Sequence, residues 1–118
     1  MAMTRTMILL AAALMLTATA CTKKYEDRYD HLRVDRTLLK LPPESGEIPI
    51  MVYYSGKWQA ELDGECEWAS IDATGGNGIS AVHLRYDENI LAARETFLIF
   101  SNGKDDPITI NITQNAGI

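Results

Sequence analysis

Four carboxylates recur at every second position from Glu61 to Glu67: Glu61, Asp63, Glu65 and Glu67. On one strand face such a ladder would hold calcium through oxygen ligands or supply an acid/base pair. Gly64 sits in its middle, and a turn there would break the common face, so a solvated edge is the expected role. Trp58 and Trp68 offer flat apolar rings that match the apolar face of a pyranose. The competing role is core packing, for which β-sandwiches commonly use a Trp. His31 and His83 stand alone, without a Cys, His or carboxylate at zinc-ligand spacing. No G-x-S-x-G nucleophile motif occurs. Gly75-Gly76-Asn77-Gly78 lacks the Lys-Ser/Thr of a phosphate loop and reads as an ordinary flexible loop. The residues therefore predict no catalytic group, no metal site and no cofactor.

The elements that must position these side chains are short β-like runs separated by turn residues. They span roughly 33–41, 47–54, 58–63, 67–72, 79–86, 94–101 and 107–114. The breaks carry Pro42-Pro43, Ser55-Gly56, Asp63-Gly64, the Gly-rich segment, Asp87-Glu88-Asn89 and Asn102-Gly103. Ile108, Ile110 and Ile112 alternate with Thr109, Asn111 and Thr113, which gives one apolar and one polar strand face. Val82, Leu84 and Tyr86 alternate with His83 and Arg85, and Ile48, Ile50, Val52 and Tyr54 with Pro49, Met51 and Tyr53. Asn102-Gly103 favours a hairpin because both residues tolerate positive φ. About seven antiparallel strands with one apolar face each predict an all-β sandwich of two packed sheets.

The first twenty residues differ in kind. Arg5 precedes an apolar run, Met7 to Leu16, and the small residues Thr17-Ala18-Thr19-Ala20 lead to Cys21. That is the layout of a secretory signal peptide. The run is too short to cross a bilayer core of about 30 Å as a helix. The small residues before Cys21 resemble a bacterial lipobox, although Ala18 stands where Leu is usual. Cys21 is accordingly the expected lipid attachment point, and simple cleavage after Ala20 is the alternative. Residues 22–32 are polar and charged and read as a tether to a domain over 33–118. With Cys21 lipidated, Cys66 has no partner, and a buried apolar environment beside Trp68 is expected for it; a Cys21–Cys66 disulfide is the alternative. After residue 20 ten Lys/Arg face sixteen Asp/Glu, which argues against nucleic acid and against electrostatic docking on anionic lipid.

Trp58, the run Cys66-Glu67-Trp68-Ala69-Ser70-Ile71, the Gly-rich loop, Asn89, Arg94 at a strand start and the terminal Ile112-Thr113-Gln114-Asn115-Ala116-Gly117 together resemble a BACON domain. This is an immunoglobulin-like module of Bacteroidetes surface proteins, and the resemblance covers about residues 33–117. It implies an immunoglobulin-like β-sandwich and a carbohydrate-binding or spacer role. The family register points Thr96, Leu98 and Phe100 inward. Phe97 and Ile99 then point outward on the same hairpin as Thr109, Asn111 and Thr113. An exposed apolar pair beside hydroxyl and amide groups is a glycan or protein contact patch. The candidate ligand-binding residues are thus Phe97, Ile99, Asn111, Tyr53 and Trp58.

The function expected from this reading is a non-catalytic outer-membrane lipoprotein, facing periplasm or medium. It would bind polysaccharide or mucin glycan, or assist glycan use. The alternative is a spacer or protein-docking module with no sugar affinity. Its partners would be a glycan or a separate cell-envelope protein, with the membrane reached through Cys21. No further segment follows the domain in the sequence, so an enzyme it serves is expected to be another polypeptide.

Overall fold

A computed structural model describes residues 29–118, of which His31–Ile118 form one unit. Cys21, the signal peptide and most of the expected tether lie outside the described residues. Nine strands build the unit: β1 (Arg33–Val34), β2 (Leu38–Leu41), β3 (Gly46–Tyr53), β4 (Lys57–Leu62), β5 (Ala69–Ile71), β6 (Gly75–Asn77), β7 (Ser80–Tyr86), β8 (Arg94–Ser101) and β9 (Ile108–Gln114). They form a four-stranded sheet in the order β1-β3-β7-β5 and a five-stranded sheet in the order β2-β9-β8-β4-β6. The two inner faces meet in a core that includes Leu39, Leu41, Ile50, Val52, Val82, Leu84, Leu98, Phe100, Ile110 and Ile112. These are the apolar members of the period-two runs. A one-residue slip of any strand would turn its set to solvent, so each register is firmly specified.

Two expectations of the sequence reading need correction. The first concerns the run 33–41, which is two strands in different sheets. Asp35 N–H closes the first ladder on Met51 O at 3.1 Å, and Asn111 N–H opens the second on Thr37 O at 2.9 Å. The chain crosses between sheets over 35–37, and β2 therefore pairs with β9 in parallel. The other pairs are antiparallel. The second concerns the Gly-rich segment, which is strand β6 and not a loop. It pairs with β4 through Trp58↔Gly76, and a Cβ on Gly76 would fall on the Trp58 ring. Glycine is needed there for close approach, which composition alone does not distinguish from flexibility.

The same geometry explains Pro49 inside β3. Met51 O bonds to β1, so the backbone of residue 49, two positions away, faces the same side. β1 pairs only with Val52 and Tyr53. The N–H that proline lacks would have pointed off an open edge, where its absence leaves no gap in a ladder and discourages pairing with another chain.

Candidate functional site

The outer face of the five-stranded sheet carries the candidate patch. Phe97, Ile99 and Glu95 alternate along β8 with the buried Thr96, Leu98 and Phe100. Phe97 lies opposite Asn111 and Ile99 opposite Thr109 on β9. Leu38 on β2 lies opposite Asn111 from the other side. One row thus reads Leu38, Asn111, Phe97, and the next Thr109, Ile99, Glu61. Leu38 is 59% exposed, Phe97 37% and Ile99 39%. A depression of about 420 Å³ runs between β4 and β8, lined by Glu61, Leu62, Asp63, Phe97, Ile99 and Thr109. It offers one aromatic ring, aliphatic side chains, a hydroxyl and two carboxylates, with Asn111 beside Phe97.

Three of the five sequence candidates, Phe97, Ile99 and Asn111, are brought together. Tyr53 is not: it ends β3, opposite Arg33, in the other sheet. Trp58 is excluded as a stacking surface, which corrects that candidate. Its ring is only 2% exposed, tilts 55° against Phe100 with centroids 6.1 Å apart, and covers Gly76. Its indole Nε1 donates to Gly78 O at 2.9 Å. The ring faces the core because β4 starts at Lys57, which puts residue 58 on the inner side with Ala60. Cys21 lies outside the described residues. Leu38 was not a sequence candidate. Its exposure follows from the sheet crossing at 35–37, which sets the β2 register.

Trp68 packs against the core with one face and carries the Arg94 guanidinium 4.6 Å above its ring. The Arg94 Nε donates to Gln114 Oε1 at 2.7 Å, and its Nη2 to the carbonyls of Asp87 and Glu88. Gln114, fully buried, donates from Nε2 to the carbonyls of Pro42, Pro43 and Asp87. Asn89 is buried beside it. Its Nδ2 donates to the Ala92 and Asn115 carbonyls, and its Oδ1 accepts from Leu91 N–H. These residues knot the loop 87–93 to two other chain segments. The polar groups named here are taken up by backbone and by one another, which marks them as structural.

The acidic ladder is dispersed. Asp63 Oδ1 accepts from Glu65 N–H at 3.3 Å, and Cys66 N–H donates to Asp63 O. Cys66 has no disulfide partner among the described residues and is half-buried rather than enclosed as expected. No group of three His, Cys, Asp or Glu among the described residues could hold a metal ion. Both histidines instead meet an aspartate. His83 N–H donates to Asp72 Oδ1 at 2.8 Å, and its Nδ1 lies 2.9 Å from Oδ2. His31 Nδ1 lies 3.0 Å from Asp105 Oδ1. Asp105 Oδ2 accepts from Leu32 N–H at 3.0 Å and from Asn102 Nδ2 at 2.7 Å. The Leu32 amide, then His31 and Asn102, hold the Asp105 carboxyl well below the usual carboxylate range, and the His83 amide lowers Asp72.

No family description and no curated protein matches the chain. Solved structures match it in fold. A Bacteroides ovatus GH5 xyloglucanase in complex with a XXXG heptasaccharide aligns at TM-score 0.67 and 19% identity, over 73% of this chain and 19% of that one. The Caenorhabditis elegans protein SSP-19, an MSP-domain protein like family member, aligns at 0.54 and 11% identity, over 72% and 100%. The Pseudomonas aeruginosa CupB2 chaperone aligns at 0.56 and 12% identity, over 72% and 55%. The fold is an immunoglobulin-like β-sandwich. This chain spans about a fifth of the xyloglucanase it resembles, and identities this low carry the fold alone.

Proposed function

We propose that this chain is a non-catalytic cell-envelope module that binds glycan on the outer face of its five-stranded sheet. The observation that carries the reading is the exposed Phe97 ring beside Asn111 and the neighbouring Ile99–Thr109 pair, above the depression between β4 and β8. An aromatic face takes the C–H side of a sugar, and amide and hydroxyl groups at its rim take ring hydroxyls. The site is shallow, so affinity is weak and suited to a module that works by proximity. The likeness to part of a xyloglucanase supports the association with carbohydrate, as does the resemblance to BACON domains. Lipidation at Cys21 and an outer-membrane address, facing periplasm or medium, complete the proposal and rest on the leader sequence.

A second reading has its own observation. The patch holds one ring, and its most exposed apolar member is Leu38, a side chain that favours a protein surface over a sugar. In that reading the module docks or spaces a separate envelope protein. A glycan screen of the chain, with xyloglucan, other plant polysaccharides and mucin, and Phe97→Ala alongside, separates the two. Binding lost in the variant supports the site. Binding retained moves it elsewhere, and no binding to any glycan rejects the glycan reading.

A further inference from the structure

The sandwich has an open seam beside β4. In the β4–β8 ladder Asp63 N–H donates to Phe97 O, so Asp63, Glu61 and Gln59 turn their backbone groups toward β8. Those of Ala60 and Leu62 point the other way. Ala60 N–H meets Thr74 O at 2.9 Å. There the cover ends, because β6 pairs only with Lys57, Trp58 and Gln59, and the chain before Thr74 leaves for the other sheet. The N–H and C=O of Leu62 face a cleft of about 490 Å³, whose walls include Ala60, Glu61, Leu62, Ile71, Thr74 and Ile99. Across the cleft stands β5, an edge strand. Trp68 and Asp72 bond to β7 on one side, so the backbone groups of Ala69 and Ile71 face away from β7.

From this arrangement we infer that the seam accepts an extended peptide of another polypeptide, which continues the line of β6 along the edge at Ala60–Asp63. Strand addition of this kind draws affinity from main-chain bonds and selectivity from pockets for alternate side chains. The pockets here differ. Side chains on the inner side of the added strand meet Ile71 and Leu62, both half-buried and apolar. Those on the outer side meet the exposed carboxylates of Glu61 and Asp63, and no Lys or Arg lines this cleft or the adjoining depression. The chemistry that fits is a strand with aliphatic residues on one face and Lys or Arg on the other. The seam adjoins the glycan patch and shares Glu61, Leu62 and Ile99 with it, but the inference rests on the open backbone edge of β4 and not on the glycan reading.

The test is amide NMR of the ¹⁵N-labelled full chain titrated with a blocked Lys-Val-Lys-Val-Lys peptide. The same peptide N-methylated at alternate amides, and a Glu-Val counterpart, are the comparisons. Saturable shifts centred on Leu62 and Ile71, at least ~tenfold weaker binding on N-methylation, and no response to the Glu-Val peptide are expected. Glu61→Lys should weaken the Lys-Val peptide several-fold, and Lys40→Ala, at an exposed β2 position outside both hollows, should leave it unchanged. No saturable shift, shifts elsewhere, or binding indifferent to N-methylation would overturn the inference. So would equal binding of the acidic peptide.

Discussion

Arg94 and Gln114 are joined side chain to side chain at 2.7 Å, opposite one another at the same end of the β8–β9 ladder. The pair anchors a knot: Gln114 reaches the carbonyls of Pro42, Pro43 and Asp87 on two loops, and Arg94 shares Asp87 and adds Glu88, while its guanidinium covers Trp68. Truncating Gln114 would leave part-buried carbonyls and a charged guanidinium short of partners, each costing on the order of 1–3 kcal/mol. Gln114→Ala should lower unfolding stability by roughly 3 kcal/mol, read as a lower urea midpoint at unchanged m-value. Glycan or peptide binding by the folded variant should be unaffected.

Gly76 should tolerate no side chain. The Trp58 ring occupies the space a Cβ would need, and Trp58 also packs on Phe100 and holds Gly78 O. Gly76→Ala must displace the ring or unpair β6, at a cost of about 1–3 kcal/mol as for other overpacked cores. Red-shifted tryptophan emission would report the displaced ring, since Trp58 would become wet. An unchanged spectrum and melting point would contradict this packing.

Much of this fold was legible in the alternation of single residues. Ile108–Ile110–Ile112, Val82–Leu84 and the inward set Thr96, Leu98 and Phe100 fall where period two places them. What stayed hidden depended on contacts distant in sequence. Nothing local marks residues 35–37 as a crossing between sheets, because Asp35 and Thr37 find their partners, Met51 and Asn111, far along the chain. Gly75-Gly76-Asn77 reads as a loop until Trp58 lies on it. Asn102-Gly103 does make a turn, but only Gly103 has positive φ, at 77°. Asn102 acts through its Oδ1, which accepts from Lys104 and Asp105 N–H. Of the site, the outward pair Phe97/Ile99 was readable from register, whereas the seam beside β4 needed the length of β6 and could not be.

Thr96 is the one buried side chain among the described residues whose oxygen lacks a hydrogen-bond partner. It faces the core beside Ile112's strand at 1% exposure. Replacing its hydroxyl by a methyl removes an unsatisfied polar group with little change of volume or of β-branching. Thr96→Val should raise stability by about 1 kcal/mol, read from chemical denaturation. A loss would mean that the hydroxyl has a partner, such as an ordered water.

Acid should weaken the fold through Asp105 and Asp72. Both carboxyls are held below their ordinary value of 3.8 in the folded chain, Asp105 the more strongly. A group with a depressed folded pKa stabilises the fold above its unfolded value and loses that contribution as pH falls toward the folded one. Stability should therefore be level in these two groups above about pH 5 and decline below about pH 4. Asp105→Asn should be less stable than the parent at neutral pH, because a neutral amide serves Leu32 N–H and Asn102 less well. Its stability should also fall less steeply in acid. Parallel acid titrations of parent and variant would contradict this assignment.

The patch and the fold should be separable at Phe97. Its ring is more than a third exposed and rests on the sheet surface opposite Asn111, not in the core. Truncation there removes cross-strand contact worth about 0.2–1 kcal/mol and creates no cavity. Phe97→Ala should thus keep its unfolding midpoint close to the parent's, in contrast to Phe100→Ala, which removes a fully buried ring and should cost about 3–5 kcal/mol. The contrast matters because any loss of ligand in Phe97→Ala is then loss of a contact and not of the fold. Should Phe97→Ala unfold as readily as Phe100→Ala, the side chain would be a structural member of the sheet. The glycan face would then have to be sought around Ile99 and Thr109 alone.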